Sequence, residues 1–275
     1  MKQVSFRNKK IFYEVEGAGN PVMLLHGFAE DGRIWYYQVQ NLKNNYRLII
    51  PDLPGSGKSE MLEGVVTLSD YAEAVKVIAD KEIDFGNEKQ CTMIGHSMGG
   101  YITLAFAEKY PEYLNGMGLF HSSSFADDEQ KKETRRKGIE FIKKNGPELF
   151  LRNTTPNLFS EKTKEEAPEL IENLISLSKN FSGEALIQYY DAMINRPDRS
   201  EIVKSFKKPV LIIAGMHDNA VPIQSSLSQA YLGAVTHFHI LKHSGHIGMW
   251  EEEAASTLCL ENFLHTLPVE IKDEI

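Results

Sequence analysis

The sequence predicts an α/β protein whose mostly parallel central sheet is flanked by helices and interrupted once by an all-helical insertion. Three observations carry this. Short, thick apolar runs at residues 21–25, 46–50, 91–94 and 210–214 suit strands buried on both faces of a parallel sheet. Segments with helical periodicity separate them, so strand and helix alternate and the sheet should be parallel with right-handed crossovers. Between Ser122 and Ser205 no such run occurs, and the pattern there is helical throughout.

Taken in order, residues 3–7 and 10–16 alternate apolar and polar side chains, with Val4, Phe6, Ile11, Tyr13 and Val15 recurring at period two around a lysine-rich turn, a hairpin signal. Strands follow at 21–25 and 46–50. Thr67 with Asp70 three residues on forms a capping-box pattern that leads into Tyr71, Ala74, Val75 and Ile78 at helical spacing. The strand at 91–94 is followed by a helical run from Tyr101 to Glu108. Inside the insertion, Ile139 and Ile142, then Leu170, Ile171, Leu174, Ile175 and Leu177, then Ala185, Leu186, Tyr189, Tyr190 and Met193 recur at 3–4 spacing. The alternation resumes with a strand at 210–214, a helix near 224–231, a strand near 235–241 and one closing helix from about Trp250 to Leu264. The resulting organisation is a core of residues 1–121 and 206–275 with a helical lid over 122–205. The charge run 127–137 reads as a solvated helix face.

Composition narrows the function. Apolar residues are 42% and charged residues 25% of the chain, ordinary globular usage that excludes a disordered or fibrous chain. With 38 acidic against 30 basic residues the formal charge is -8, so no nucleic-acid partner held through its phosphates is expected. The first residues lack the apolar stretch of a signal peptide, and no window reaches the ~18 apolar residues of a membrane span. No membrane partner is expected, and Cys91 and Cys259 read as buried thiols of a reducing, cytoplasmic compartment.

The strongest chemical signal is Gly95-His96-Ser97-Met98-Gly99-Gly100, directly after a predicted strand and before a helix. A serine hydroxyl is a weak nucleophile near neutral pH and must stand clear of the sheet beside a base. A strand-to-helix elbow presents it so, and is too tight for side chains two residues to either side, which is why small residues stand at 95 and 99. The Met98 N–H then faces the same space at a helix N-terminus, where developing negative charge is favoured.

With this motif in its context, the chain resembles the α/β-hydrolase-fold proteins of the lipase, esterase and C–C hydrolase kind along essentially its whole length. The resemblance implies that His26-Gly27-Phe28-Ala29, after the third predicted strand, supplies the second oxyanion N–H. This loop has one glycine followed by phenylalanine where many lipases have HGGG, leaving residue 28 or 29 as donor; Phe28 is taken, together with Met98. The fold's order of serine, acid, histidine implies that Asp218, in the loop after the strand at 210–214, orients His246, in Ser244-Gly245-His246 after the last strand. The alternative acids, after the sixth strand, are Asp127 and Asp128. Serine rather than aspartate at the elbow separates the chain from dehalogenase and epoxide-hydrolase relatives.

Other features take structural readings. His26 and His96 should brace the oxyanion loops, while His121 and His217 could line the pocket. His237, His239 and His243 lack the converging ligands of a zinc site, so no metal and no cofactor is expected. Asp52-Leu53-Pro54-Gly55-Ser56-Gly57-Lys58-Ser59 ends like a phosphate-binding loop, but Asp52 stands where the first glycine is needed and no helix starts after Ser59. With the lid's basic residues concentrated at 131–137, away from its apolar stripes, the reading is a cofactor-free serine hydrolase for an uncharged, apolar acyl ester. C–C bond hydrolysis of a vinylogous diketone, perhydrolysis and ligand binding without turnover are the alternatives.

Overall fold

The computed structural model describes residues 1–83 and 90–267; the parts of the expected core at 84–89 and 268–275 lie outside them. The strands are β1 (Lys2–Phe6), β2 (Lys9–Glu16), β3 (Asn20–Leu25), β4 (Tyr46–Pro51), β5 (Cys91–His96), β6 (Leu114–Phe120), β7 (Val210–Gly215) and β8 (Thr236–Leu241). They form one sheet in the order β1-β2-β4-β3-β5-β6-β7-β8. β1 and β2 make the expected hairpin, turned by Arg7 and Asn8 at φ 49° and 62°, the left-handed pair that matches strand twist. β2 meets β4 antiparallel, and every later pairing is parallel.

The helices are α1 (Tyr36–Leu42), α2 (Leu68–Glu82), α3 (Met98–Lys109), α4 (Glu129–Asn145), α5 (Pro147–Thr154), α6 (Glu161–Glu166), α7 (Glu169–Ser178), α8 (Gly183–Ile194), α9 (Ser200–Ser205), α10 (Ile223–Ala230), α11 (Gly248–Glu251) and α12 (Glu253–Thr266). The Thr67–Asp70 capping box opens α2. α3 is buried from Met98 through Ala107, so it reads as apolar on every side. It packs with α2 on one face of the sheet, while Trp35, Leu42, Leu260 and Phe263 belong to the core on the other. The closing helix is not continuous as the sequence suggested. It breaks at Glu252, φ −133° and ψ 60°, whose carboxylate accepts the His243 N–H and Ser244 Oγ–H at 2.8 and 2.7 Å. Cys91 is buried, its thiol pushed up to about 12 by that burial; Cys259 is only half-buried, contrary to expectation.

α4 to α9 all lie between β6 and β7 in the chain, and they touch loops at the carboxyl ends of the strands. Ser178 Oγ donates to Ala29 O (2.7 Å), Tyr189 Oη to Pro54 O (2.8 Å), Lys131 Nζ to Ala220 O (2.8 Å), and Leu158 O accepts the His246 N–H (2.6 Å). The sheet order reverses at β3, between β4 and β5, and such switch points open a crevice outside the strands' carboxyl ends.

Candidate active site

Ser97 follows β5 at φ 50° and ψ −115°, a strained conformation for a residue with a Cβ. Space explains the glycines around it: a Cβ at Gly95 would fall against the Gly99 backbone, and one at Gly99 against the Leu25 and His26 carbonyls. The Ser97 N–H donates to Phe120 O (2.9 Å), and Ser97 O accepts the Ser122 hydroxyl (2.7 Å). The elbow is thereby tied to β6. Among the described residues no acceptor is paired with the backbone N–H of Met98 or of Phe28.

Asp218, just beyond β7, has a fully buried side chain. Its Oδ1 accepts the Ala220 and Val221 N–H groups, each at 2.8 Å, and its Oδ2 accepts from His246 Nδ1 at 2.8 Å and from His121 Nδ1 at 3.0 Å. Burial opposes the charge, but the two imidazoles beside it outweigh burial and hold the carboxyl far below its ordinary range. His246 therefore carries its proton on Nδ1, donating it to the carboxylate, which leaves Nε2 as the free acceptor. Glu251 and Glu252 fix its loop from the other side. Glu251 accepts the Gly245 and Ile247 N–H groups (2.9 and 3.2 Å) and, across to the insertion, the Ser160 N–H and the Thr163 hydroxyl, both at 2.8 Å. Sequence reasoning missed both glutamates, although a run of three acids directly after Trp250 was visible.

His26 and His96 brace the site as expected. His26 Nδ1 lies 2.8 Å from Gly27 O and must donate to it, so Nε2 accepts the Leu53 N–H at 2.9 Å. Both nitrogens of His96 face acceptors, the Glu30 carboxylate at 2.9 Å and His246 O at 2.9 Å. Such a ring must donate from both sides, so it is an imidazolium. Glu30 also accepts the Gly27 N–H at 2.6 Å, joining the 26–29 loop, the elbow and the His246 loop through one buried ion pair. Burial lowers His96, but Glu30 and His246 O raise it overall. Burial likewise raises Glu30, but His96 and the Gly27 N–H bring it below its usual range.

The pair therefore stabilises the fold fully between the ordinary carboxylate and imidazole values of about 4.3 and 6.5. Its contribution fades as pH falls through the depressed Glu30 value or rises through the elevated His96 value. Glu30→Gln should cost about 3–5 kcal/mol, the usual penalty for orphaning one member of a buried pair. In urea titrations the deficit should be largest near pH 5–6 and shrink at alkaline pH; a deficit independent of pH would mean that the pair is not ionised.

Ser97 and His246 line one cavity of about 400 Å³, together with Phe28, Tyr101, Tyr190 and Met193. The Phe28 ring stacks on Tyr190 with centroids 4.4 Å apart. Most of the insertion's apolar stripe goes elsewhere: Leu174, Leu186 and Tyr189 are buried in the two cores. Contrary to expectation, Lys131 and Arg135 line the cavity, and the run 127–137 is not simply solvated. Asp127 is buried against Arg135 Nε (2.7 Å) and Arg196 Nη1 (2.9 Å), with Lys131 Nζ at 3.8 Å, and the Arg196 guanidinium lies 3.9 Å from the centroid of the Tyr101 ring. Burial pushes the Tyr101 phenol up, but Arg196, Lys131 and Arg135 outweigh it and the net shift is down. His217 is exposed and His121 fully buried behind Asp218, so neither lines this cavity.

Among the described residues one group of metal-ligating type, His121, Asp218 and His246, has its ligand atoms within 4.8 Å of one another. Both Nδ1 atoms there are spent as donors to one carboxylate oxygen. The Asp52–Ser59 loop is structural: Asp52 accepts the Gly32 and Lys58 N–H groups at 3.1 and 3.0 Å, and Gly57 at φ 53° leaves no room for a Cβ beside that carboxylate. No helix among the described residues is long and apolar enough to cross a membrane.

A serine on a strained elbow and a carboxylate-held histidine at the carboxyl edge of a largely parallel sheet define a hydrolase scaffold. The chain belongs to the α/β hydrolase fold family, whose model matches residues 20–253. It is 27% identical to a 2-hydroxy-6-oxononadienedioate/2-hydroxy-6-oxononatrienedioate hydrolase of Paraburkholderia phymatum, covering 93% of this chain and 91% of the relative. To a pyrrolizixenacetamide deacetylase of Xenorhabdus hominickii it is 24% identical, covering 96% and 98%. The solved structure of a thermophilic esterase from Thermogutta terrifontis superposes with a TM-score of 0.89 at 27% identity, covering 96% of this chain and 98% of that one. The protein is an α/β-hydrolase-fold enzyme, and its relatives are hydrolases of small molecules.

Proposed function

We propose that the protein is a cofactor-free serine hydrolase cleaving a carboxylic ester through an acyl-enzyme. Ser97 is the nucleophile, His246 the base, Asp218 the orienting acid, and the Phe28 and Met98 N–H groups the oxyanion donors. The observation that carries this reading is that Ser97 and the Asp218-held His246 open into the same cavity. Ser97 Oγ attacks the carbonyl as its proton passes to His246 Nε2; the two N–H groups hold the oxyanion. His246 returns the proton to the leaving alcohol and then deprotonates the water that releases the acid. The inserted helices over 122–205 act as a lid, and two free thiols fit a cytoplasmic setting.

The apolar wall of Phe28, Tyr190, Met193 and Val221 is where an acyl chain gains from burial. Each methylene is worth ~0.8 kcal/mol, about fourfold in kcat/KM. A second reading, C–C bond hydrolysis of a vinylogous diketone bearing carboxylates, is favoured by Lys131 and Arg135 in the cavity wall and by the dienedioate substrate in the Paraburkholderia relative's name. A panel of chromogenic esters from acetate to hexanoate, run beside a dianionic ring-fission diketone, tests the choice. The ester reading expects kcat/KM to climb from acetate to butyrate or hexanoate; a diketone turned over faster than every ester would replace it with the second reading.

A further inference from the structure

His121 is a buried histidine that the mechanism above does not use. It directly follows β6 at φ 47°, a region in which side-chain-bearing residues are uncommon, with Asn, Asp and His the most tolerated. Its N–H donates to Ile213 O at 2.8 Å. The ring is clamped between two glycines: a Cβ at Gly215 would sit 2.8 Å from its Cε1, and one at Gly248 would strike its Nε2. Among the described residues that buried Nε2 has no partner. A strained backbone and an orphaned ring nitrogen are both unfavourable, and a small apolar residue would avoid the second. What the histidine contributes in return is a single bond, Nδ1–H to Asp218 Oδ2 at 3.0 Å, on the oxygen that also holds His246 at 2.8 Å.

We propose that His121 is a positioning residue for the base: by sharing Asp218 Oδ2 it weakens that carboxylate's hold on a protonated His246, and so keeps the base deprotonated to lower pH. The proposal rests on the reading of His246 as base and Asp218 as its acid. A carboxylate stabilises an imidazolium in proportion to its own unshared charge, and a second neutral donor on the same oxygen takes part of that charge. His121 is suited to this because it stays neutral: burial lowers it to about 4 despite the Asp218 carboxylate beside it. It therefore carries one proton, and facing a carboxylate that proton is on Nδ1.

Other charged groups face the same pair. The His96 ring on β5 lies 4.9 Å from that of His246 and 6.1 Å from that of His121, and is paired with Glu30. From α4, Lys131 reaches Ala220 O, and Arg135 and the α4 cap Asp128 share the cavity wall with His246. Variants at position 121 leave all of these in place, so their effect is read as a difference from wild type.

The test is the pH dependence of kcat/KM from pH 5 to 9, with whichever ester the wild type hydrolyses, for His121→Ala and His121→Asn. Asparagine keeps an N–H donor and tolerates the backbone. The acid limb should move up by about one unit in His121→Ala, a roughly tenfold loss at the foot of the limb, with the alkaline plateau little changed; His121→Asn should restore the wild-type limb. A limb unmoved in His121→Ala, or an equal loss at every pH in both variants, would overturn the proposal. Should His121→Ala not fold, nitrogen NMR of the wild type decides: the Nδ1–H tautomer throughout pH 5–8 is expected, and an Nε2–H tautomer or a titration in that window overturns it. A wild type with no acid limb would instead remove His246 as the base, and this proposal with it.

Discussion

Replacing Ser97 by alanine should lower ester turnover by about 10³–10⁶-fold without abolishing it, because binding and the oxyanion donors still act when a triad nucleophile is removed. The variant should fold. The Ser97 hydroxyl makes no hydrogen bond among the described residues, while the backbone bonds that hold the elbow, Ser97 N–H to Phe120 O and Ser122 Oγ–H to Ser97 O, survive truncation to a methyl. The strain at φ 50° is no worse for alanine than for serine. Thermal unfolding should therefore stay near wild type while a fluorophosphonate probe, which labels the wild type, misses the variant. Labelling that persists in Ser97→Ala would place the nucleophile elsewhere, and a kcat within tenfold of wild type would rule out an acyl-enzyme at this position.

What could be read from the chain alone divides along a physical line. Residues whose type is dictated by their own backbone were legible: Gly95 and Gly99 because the turn has no room, Thr67 and Asp70 because a helix start needs acceptors, the 21–25 and 210–214 runs because both faces of a central strand are buried. The 26–29 loop, Asp218 and His246 were singled out through the family resemblance, by their order after strands. Residues whose role depends on what folds against them were not legible. A helix with Lys131 and Arg135 at 3–4 spacing looks the same in sequence whether it faces water or a cavity. Only the tertiary fold brings Arg196 to Tyr101, ninety-five residues earlier in the chain, and buries Asp127 among three cations. Glu30 and His96 are likewise sixty-six residues apart, and neither has a spacing that announces a buried ion pair. Periodicity left Tyr189 equally fit for the core or the pocket; its ring packs against Tyr71 and its hydroxyl holds Pro54 O. A stripe shows that a helix face is buried and not what it is buried against.

The same distinction separates Asp218 from Asp127, one of its two alternatives. Asn at 218 is nearly isosteric: its amide oxygen can keep the Ala220 and Val221 N–H groups, which turns its NH2 toward His121 and His246. An amide donor then faces each imidazole Nδ1–H. To relieve this, His246 must move its proton to Nε2, where it points at Ser97 and can no longer accept the serine proton, and kcat should fall by about 10⁴-fold. His121 would have to do the same, placing an N–H where the structure has only the crowded, unpartnered face against Gly248, so stability falls too. The sign of its pH dependence follows from the depressed Asp218 carboxyl: its contribution is complete above the ordinary carboxylate value of about 3.9 and is lost as pH falls toward the folded value. Asp218→Asn should therefore lose stability at neutral pH and depend less on acid than the wild type does. Asp127→Asn should share the loss of stability but not the collapse of kcat. It leaves Arg135 and Arg196 buried with a neutral partner, lowering the melting temperature and, through the cavity-lining Arg135, altering KM, while kcat stays within about tenfold of wild type because no proton in the proposed mechanism reaches it. Steady-state kinetics and thermal unfolding of the two variants side by side make the comparison. A kcat collapse in Asp127→Asn with Asp218→Asn near wild type would move the acid to the segment after β6.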